Sequence, residues 1–183
     1  MPPLLAFRSI FDELESQGPM TVPATKAHVT QICSALGHLH AHEILHRNLT
    51  PESVLLNNDG TIKITNFASA SPRLNGLTLC GTPGFMAPEV LLAHAYSRPC
   101  DWWSLGCLVS EMVTGASPFE VADQSVSDLI RRIIHDPIVL PAHDQLTEDD
   151  NTFIRALLAR EPSERLGNEG VDQVLNHAWL HVA

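Results

Sequence analysis

Four histidines crowd one short stretch, at positions 38, 40, 42 and 46, and imidazoles at that density raise the question of metal chemistry. His38 and His42 would share one face of a helix. No cysteine or carboxylate completes a tetrahedral set at a dependable spacing, so the group reads as a histidine-rich helix end. The four cysteines, Cys33, Cys80, Cys100 and Cys107, include no C-x-x-C pair. Cys100 and Cys107 fall at helical spacing in an apolar segment. Buried, reduced thiols of a cytoplasmic or nuclear protein are the expectation.

A second set of residues is informative through its order along the chain. His46-Arg47-Asn48-Leu49 runs into Thr50-Pro51-Glu52-Ser53. Asn66-Phe67-Ala68 follows, then Gly81-Thr82-Pro83 and Ala87-Pro88-Glu89. Asp101-Trp102-Trp103-Ser104-Leu105-Gly106 comes next, and Arg165 lies late in the chain. Taken singly, each is a weak signal. Together and in this order they resemble the catalytic loop, the D-F-G position, the A-P-E signature and the buried D-x-W-x-x-G helix of the eukaryotic Ser/Thr protein kinases. The run at 78–89 and the ending at 176–179 are most similar to the cyclic-nucleotide-regulated (AGC-type) branch. The resemblance covers roughly residues 10–180, nearly the whole chain. It implies a mainly α fold, the C-terminal lobe of a kinase, with a small β-hairpin and a long activation-segment loop. One kinase-like domain is expected over 1–183, with residues 1–9 a disordered start.

Phosphoryl transfer needs a carboxylate to accept the hydroxyl proton and Mg²⁺ held by an Asp and an Asn. By the resemblance, Asn48 stands at the base position, and an amide cannot take that proton; losing a general base costs about 10²–10⁴ in rate. Asn66 stands at the D-F-G metal position and brings no negative charge, which hard divalent cations strongly prefer. Ser53 replaces the second metal ligand, and Thr50 replaces the lysine that steadies the transferred group. Four replacements on the residues nearest the chemistry, with the scaffold kept around them, imply a degenerate, pseudokinase-like lobe. The Gly-rich loop, the ATP-pairing lysine and its partner Glu do not precede Ser9, so the N-terminal β lobe of the family is missing from this sequence.

The kept positions concern the fold. Glu89 and Arg165 match the buried ion pair that ties the activation segment to the lobe, and Asp101 the residue that holds the catalytic-loop backbone. His46 and Phe67 match the apolar stack behind the site; Val54, Leu55 and Leu56 match the floor under the adenine. Thr78 matches the activating phosphothreonine and Arg47 the arginine that binds it, while Thr82 belongs to the Gly81-Thr82-Pro83 run that leads to A-P-E. Glu52 and Glu111 match acids that read basic residues in substrates.

With 21 acidic against 11 basic residues and a formal charge of -10, nucleic acid and anionic membranes are poor partners. A protein or basic peptide suits that charge better, a related active kinase or its regulator among the candidates. The expectation is therefore a protein-binding or regulatory module without phosphate transfer and with no cofactor. The alternative is a divergent Ser/Thr kinase using ATP and Mg²⁺, its nucleotide lobe supplied elsewhere. A third reading is a truncated product with no settled role and an exposed apolar face.

Hydropathy patterning indicates the elements that must hold these residues. Residues 10–17 read as an amphipathic helix closed by Gly18 and Pro19. Thr25 is expected to cap the next helix, whose stripe is Val29, Ile32, Cys33, Leu36 and Leu39. Val54–Leu56 and Ile62–Ile64 flank Asn58-Asp59-Gly60 as a hairpin. Residues 66–99 read as one long irregular segment, and a loop of that length is usually functional. Residues 101–114 are apolar on nearly every side and predict a helix buried all round. Further helices are expected at 125–135, after a capping box at Thr147, and over Val171–His177.

Overall fold

The computed structural model describes residues 7–74, 76–119, 121–141 and 146–181. Apolar residues on every side of one helix require a complete surround, and the fold provides it. The central helix, Pro99–Thr114, buries Trp102, Trp103, Leu105, Cys107, Leu108 and Met112 fully. It packs against a long helix, Val22–Ala41, and against a later one, Glu148–Leu157. Gly106 permits the second contact: a Cβ there would lie 2.9 Å from the Leu157 Cβ.

In chain order, β1 (Arg8–Ser9) leads into α1 (Ile10–Gln17). Ser9 caps α1 reciprocally, its hydroxyl accepting from the Asp12 N–H at 3.0 Å while Asp12 accepts the Ser9 N–H at 2.9 Å. Arg8 and Ser9 thus form a strand and a helix cap at the end of the segment expected as a disordered start; residues 1–6 lie outside the described residues. The next helix, α2 (Val22–Ala41), starts a turn earlier than expected, capped by Thr21, with Thr25 buried inside it. Pro23 explains the difference: a residue without a donor and with φ fixed near −65° suits the first helical turn.

The expected hairpin forms from β2 (Val54–Leu56) and β3 (Ile62–Ile64), and β1 adds a third strand, giving an antiparallel sheet of order β1-β2-β3. Only two residues long, β1 is too short to show strand periodicity, so it was invisible as a pattern. The segment at 66–99 is less irregular than its composition suggests. Within it lie single 3-10 turns at Phe67–Ser69 and Pro83–Phe85 and the short helix α3 (Pro88–Leu91), before α4 begins at Pro99.

Beyond the central α4 come α5 (Val126–Ile134) and α6 (Glu148–Leu157), capped by Ser125 and Thr147. The helix expected over Val171–His177 is α7 (Val171–Leu175), and a separate short helix, α8 (Ala178–His181), follows it. Trp179 accounts for the break. Its ring stacks on Phe153 at 4.1 Å and its indole N–H donates to Asp150 at 2.6 Å, which a continuous helix would have to forgo. Among the described residues no helix is long and apolar enough to cross a membrane.

Candidate functional site

Asp101, fully buried in the first turn of α4, organises the loop at 46–53. One carboxylate oxygen accepts the His46 N–H at 3.0 Å and meets His40 Nε2 at 2.8 Å; the other accepts the Arg47 N–H at 2.8 Å. Arg47 has a φ of 65°, a left-handed conformation that a side chain makes costly, and this bond is one of those that hold it. His40 is therefore a structural partner of Asp101. His42 bonds back to the His38 carbonyl at 2.8 Å, and among the described residues no group of three His, Cys, Asp or Glu could hold a metal ion. Histidine spacing alone gave no hint of the His40–Asp101 contact, because it joins two helices 61 positions apart.

His46 is buried, its Nε2 meets the Thr65 carbonyl oxygen at 2.9 Å, and its ring lies edge-on to Phe67 with centroids 5.2 Å apart. Phe67 itself stays 47% exposed, beside a groove lined by Leu39, Ile62 and Ile64. The preceding residue, Asn66, is exposed and left-handed at φ 61°, ψ 55°, a conformation asparagine tolerates better than most residues. Val54 is buried in β2, with Leu55 and Leu56 partly covered and facing strand partners Ser9 and Arg8.

Asn48 is half-buried, and its Oδ1 accepts two bonds from Thr82, the backbone N–H at 2.9 Å and the hydroxyl at 3.0 Å. Gly81 makes the approach possible: its φ is +114°, and a Cβ there would fall 2.7 Å from the Arg47 carbonyl oxygen. Ser53 is fully buried. Its hydroxyl donates to the Thr50 carbonyl and accepts the Thr50 N–H, both at 2.8 Å. Thr50 is 2% exposed. Ser53 and Thr50 therefore close a local turn with each other instead of aiming oxygen atoms outward.

The Arg47 guanidinium donates to the Ser69 and Ala70 carbonyls and, at 3.0 Å, to the Tyr96 hydroxyl. Tyr96 in turn donates to the Thr78 carbonyl at 2.8 Å. Burial pushes the Tyr96 phenol up from its usual range, against the lowering pull of Arg47, which suits a hydroxyl that must donate. Thr78 is exposed and reaches Arg47 only through Tyr96, the one tyrosine of the chain and a residue without a motif signal. Glu52 is exposed on the turn Pro51–Ser53, and Glu111 is partly covered on the last stretch of α4.

Glu89 and Arg165 form the expected buried pair, at 2.6 and 2.9 Å in a two-bond fork. Three carbonyls, of Pro99, Ala159 and Arg160, take the remaining Arg165 donors, and its guanidinium lies 5.2 Å from the Trp103 ring centre. The pair joins α3 to the loop after α6 across 76 positions.

A helix buried on all sides, a small sheet, a loop bound to Asp101 and an Arg–Glu anchor define the helical lobe of a protein kinase. The protein kinase domain model matches residues 4–180, and the chain belongs to the protein kinase family. It is 38% identical over 174 residues to protein kinase 2 of Dictyostelium discoideum, covering 93% of this chain and 36% of that protein. It is 35% identical over 177 residues to the serine/threonine-protein kinase gad8 of Schizosaccharomyces pombe, covering 93% and 30%. Against catalytic subunit 3 of the Drosophila melanogaster cAMP-dependent protein kinase the identity is 36% over 175 residues, covering 93% and 29%. The chain thus spans about a third of the length of these relatives.

Proposed function

We propose that this chain is a kinase-derived protein-binding or regulatory module that does not transfer phosphate. The observation that carries the reading is the loop at 46–53. Both carboxylate positions of the family are amides, Asn48 and Asn66, and the Asn48 oxygen is already doubly occupied by Thr82. At the remaining metal position, the Ser53 hydroxyl is buried and bonded within its own turn. Hard divalent cations take several oxygen ligands and favour carboxylates, so this donor set does not fit Mg²⁺. Thr50 offers no cation to steady a phosphoryl group.

The partner best suited to the acidic chain is a protein or basic peptide, with exposed Glu52 one contact point and Glu111 a second. A related active kinase or its regulator would present such a surface. Three buried cysteines, all reduced, suit a cytoplasmic or nuclear setting. No cofactor is required.

A thermal-shift titration with ATP and Mg²⁺ tests the reading. A ligand at 100 times its Kd stabilises by about 2.7 kcal/mol, which would move the melting temperature by several degrees. No such rise is expected, and no label is expected to pass from γ-labelled ATP to a basic peptide. Either signal would overturn the reading in favour of a divergent kinase.

A further inference from the structure

The orientation of the Asn48 amide follows from the chemistry of its neighbour. The Thr82 backbone N–H can only donate, so the atom it meets at 2.9 Å is the amide oxygen, and the Thr82 hydroxyl donates to that same atom. The NH₂ group is therefore the end turned away from Thr82. No acceptor among the described residues bonds to it. A carboxylate held by the same two bonds would turn a second acceptor oxygen outward. Asn48 turns out a donor instead, which reverses the polarity of the group offered to an occupant.

The surroundings agree with that reversal. Arg47, the preceding residue, gives its guanidinium only to neutral oxygens, those of Ser69, Ala70 and Tyr96. Its positive charge is thus not cancelled by a contacting carboxylate among the described residues. Thr50 and Asn66 are neutral, so neither adds a negative charge that would repel an incoming anion. Leu77 and Leu79 are 73% and 62% exposed on the segment leading to Thr82. Glu52 is exposed four positions further along the loop and would meet a basic flank.

We propose that Asn48 makes this face a receptor for a basic peptide that presents an oxyanion side chain, a carboxylate or a phosphorylated serine, to the Asn48 NH₂ group. The proposal rests on the non-catalytic reading above and names the ligand that such a module would select. A kinase site prefers the free hydroxyl, whereas this one would hold the product-like form.

Fluorescence anisotropy with the full chain tests it, using a short labelled peptide with an arginine pair before one variable position. Serine, alanine, aspartate and phosphoserine are compared there. A charge-assisted hydrogen bond predicts the acidic forms to bind about tenfold tighter than the alanine form. Tightening by aspartate and phosphoserine alike assigns the shared oxyanion chemistry, and tightening by one alone identifies which oxyanion is the ligand. In N48D, which can keep both Thr82 bonds and so should fold, the preference for acidic forms should vanish. Equal affinity for all four peptides, binding of none, or a preference that survives in N48D would each overturn the proposal. Label transfer from ATP to the serine peptide is a separate readout and would sink the non-catalytic reading itself.

Discussion

Replacing Arg165 with methionine is the sharpest perturbation of the scaffold. The side chain is fully buried and gives five hydrogen bonds, two to Glu89 and one each to the carbonyls of Pro99, Ala159 and Arg160. Breaking a buried ion pair from one side costs about 3–5 kcal/mol, because the other charge is left uncompensated. Three carbonyls losing a donor add about 1 kcal/mol each, less whatever rearrangement recovers. The sum, about 6 kcal/mol, rivals the whole stability of an ordinary domain at about 5–15 kcal/mol. R165M should therefore be unfolded or nearly so in urea titrations followed by tryptophan fluorescence, for which buried Trp103 beneath the guanidinium is a built-in reporter. Adding Glu89→Leu should recover part of the loss, since the double variant carries no stranded charge. A single variant weakened by less than about 1 kcal/mol would refute the assignment of Arg165 as the anchor.

Two further outcomes are expected. Burial alone would raise the Asp150 carboxyl, but bonds from the Thr147 hydroxyl and N–H and from the Trp179 indole outweigh it and hold the group below its usual range. A depressed carboxyl contributes stability that is complete above its unfolded value of about 4 and is lost as pH falls through the lower folded value. D150N should thus lower the melting temperature at neutral pH and flatten its decline below about pH 4, whereas an unchanged acid limb would contradict the linkage. Thiol labelling should separate the cysteines. Burial pushes Cys33 up to about 12 and Cys100 well above the usual thiol value, while Cys80 is the only one of the four that is not buried. Native protein should react with a thiol reagent at Cys80 first, and C80S should abolish the fast phase; a fast phase surviving in C80S would contradict this.

Local spacing determined most of what could be read before the structure. The capping box at Thr147, the Asn58-Asp59-Gly60 turn and the all-round apolar helix depend on neighbours within a few positions, so the chain order alone was sufficient. The ordered motifs from His46 to Arg165 likewise pointed to a kinase lobe. Tertiary packing decided which partners those residues meet. Asn48 meets Thr82 across 34 positions, Arg47 meets Tyr96 across 49, and His40 meets Asp101 across 61. Hydrogen bonds of that reach depend on how helices and loops come together, and residue type carries no record of the partner. By its resemblance, position 48 is where a carboxylate is expected; only the fold says that the Asn48 oxygen accepts from Thr82.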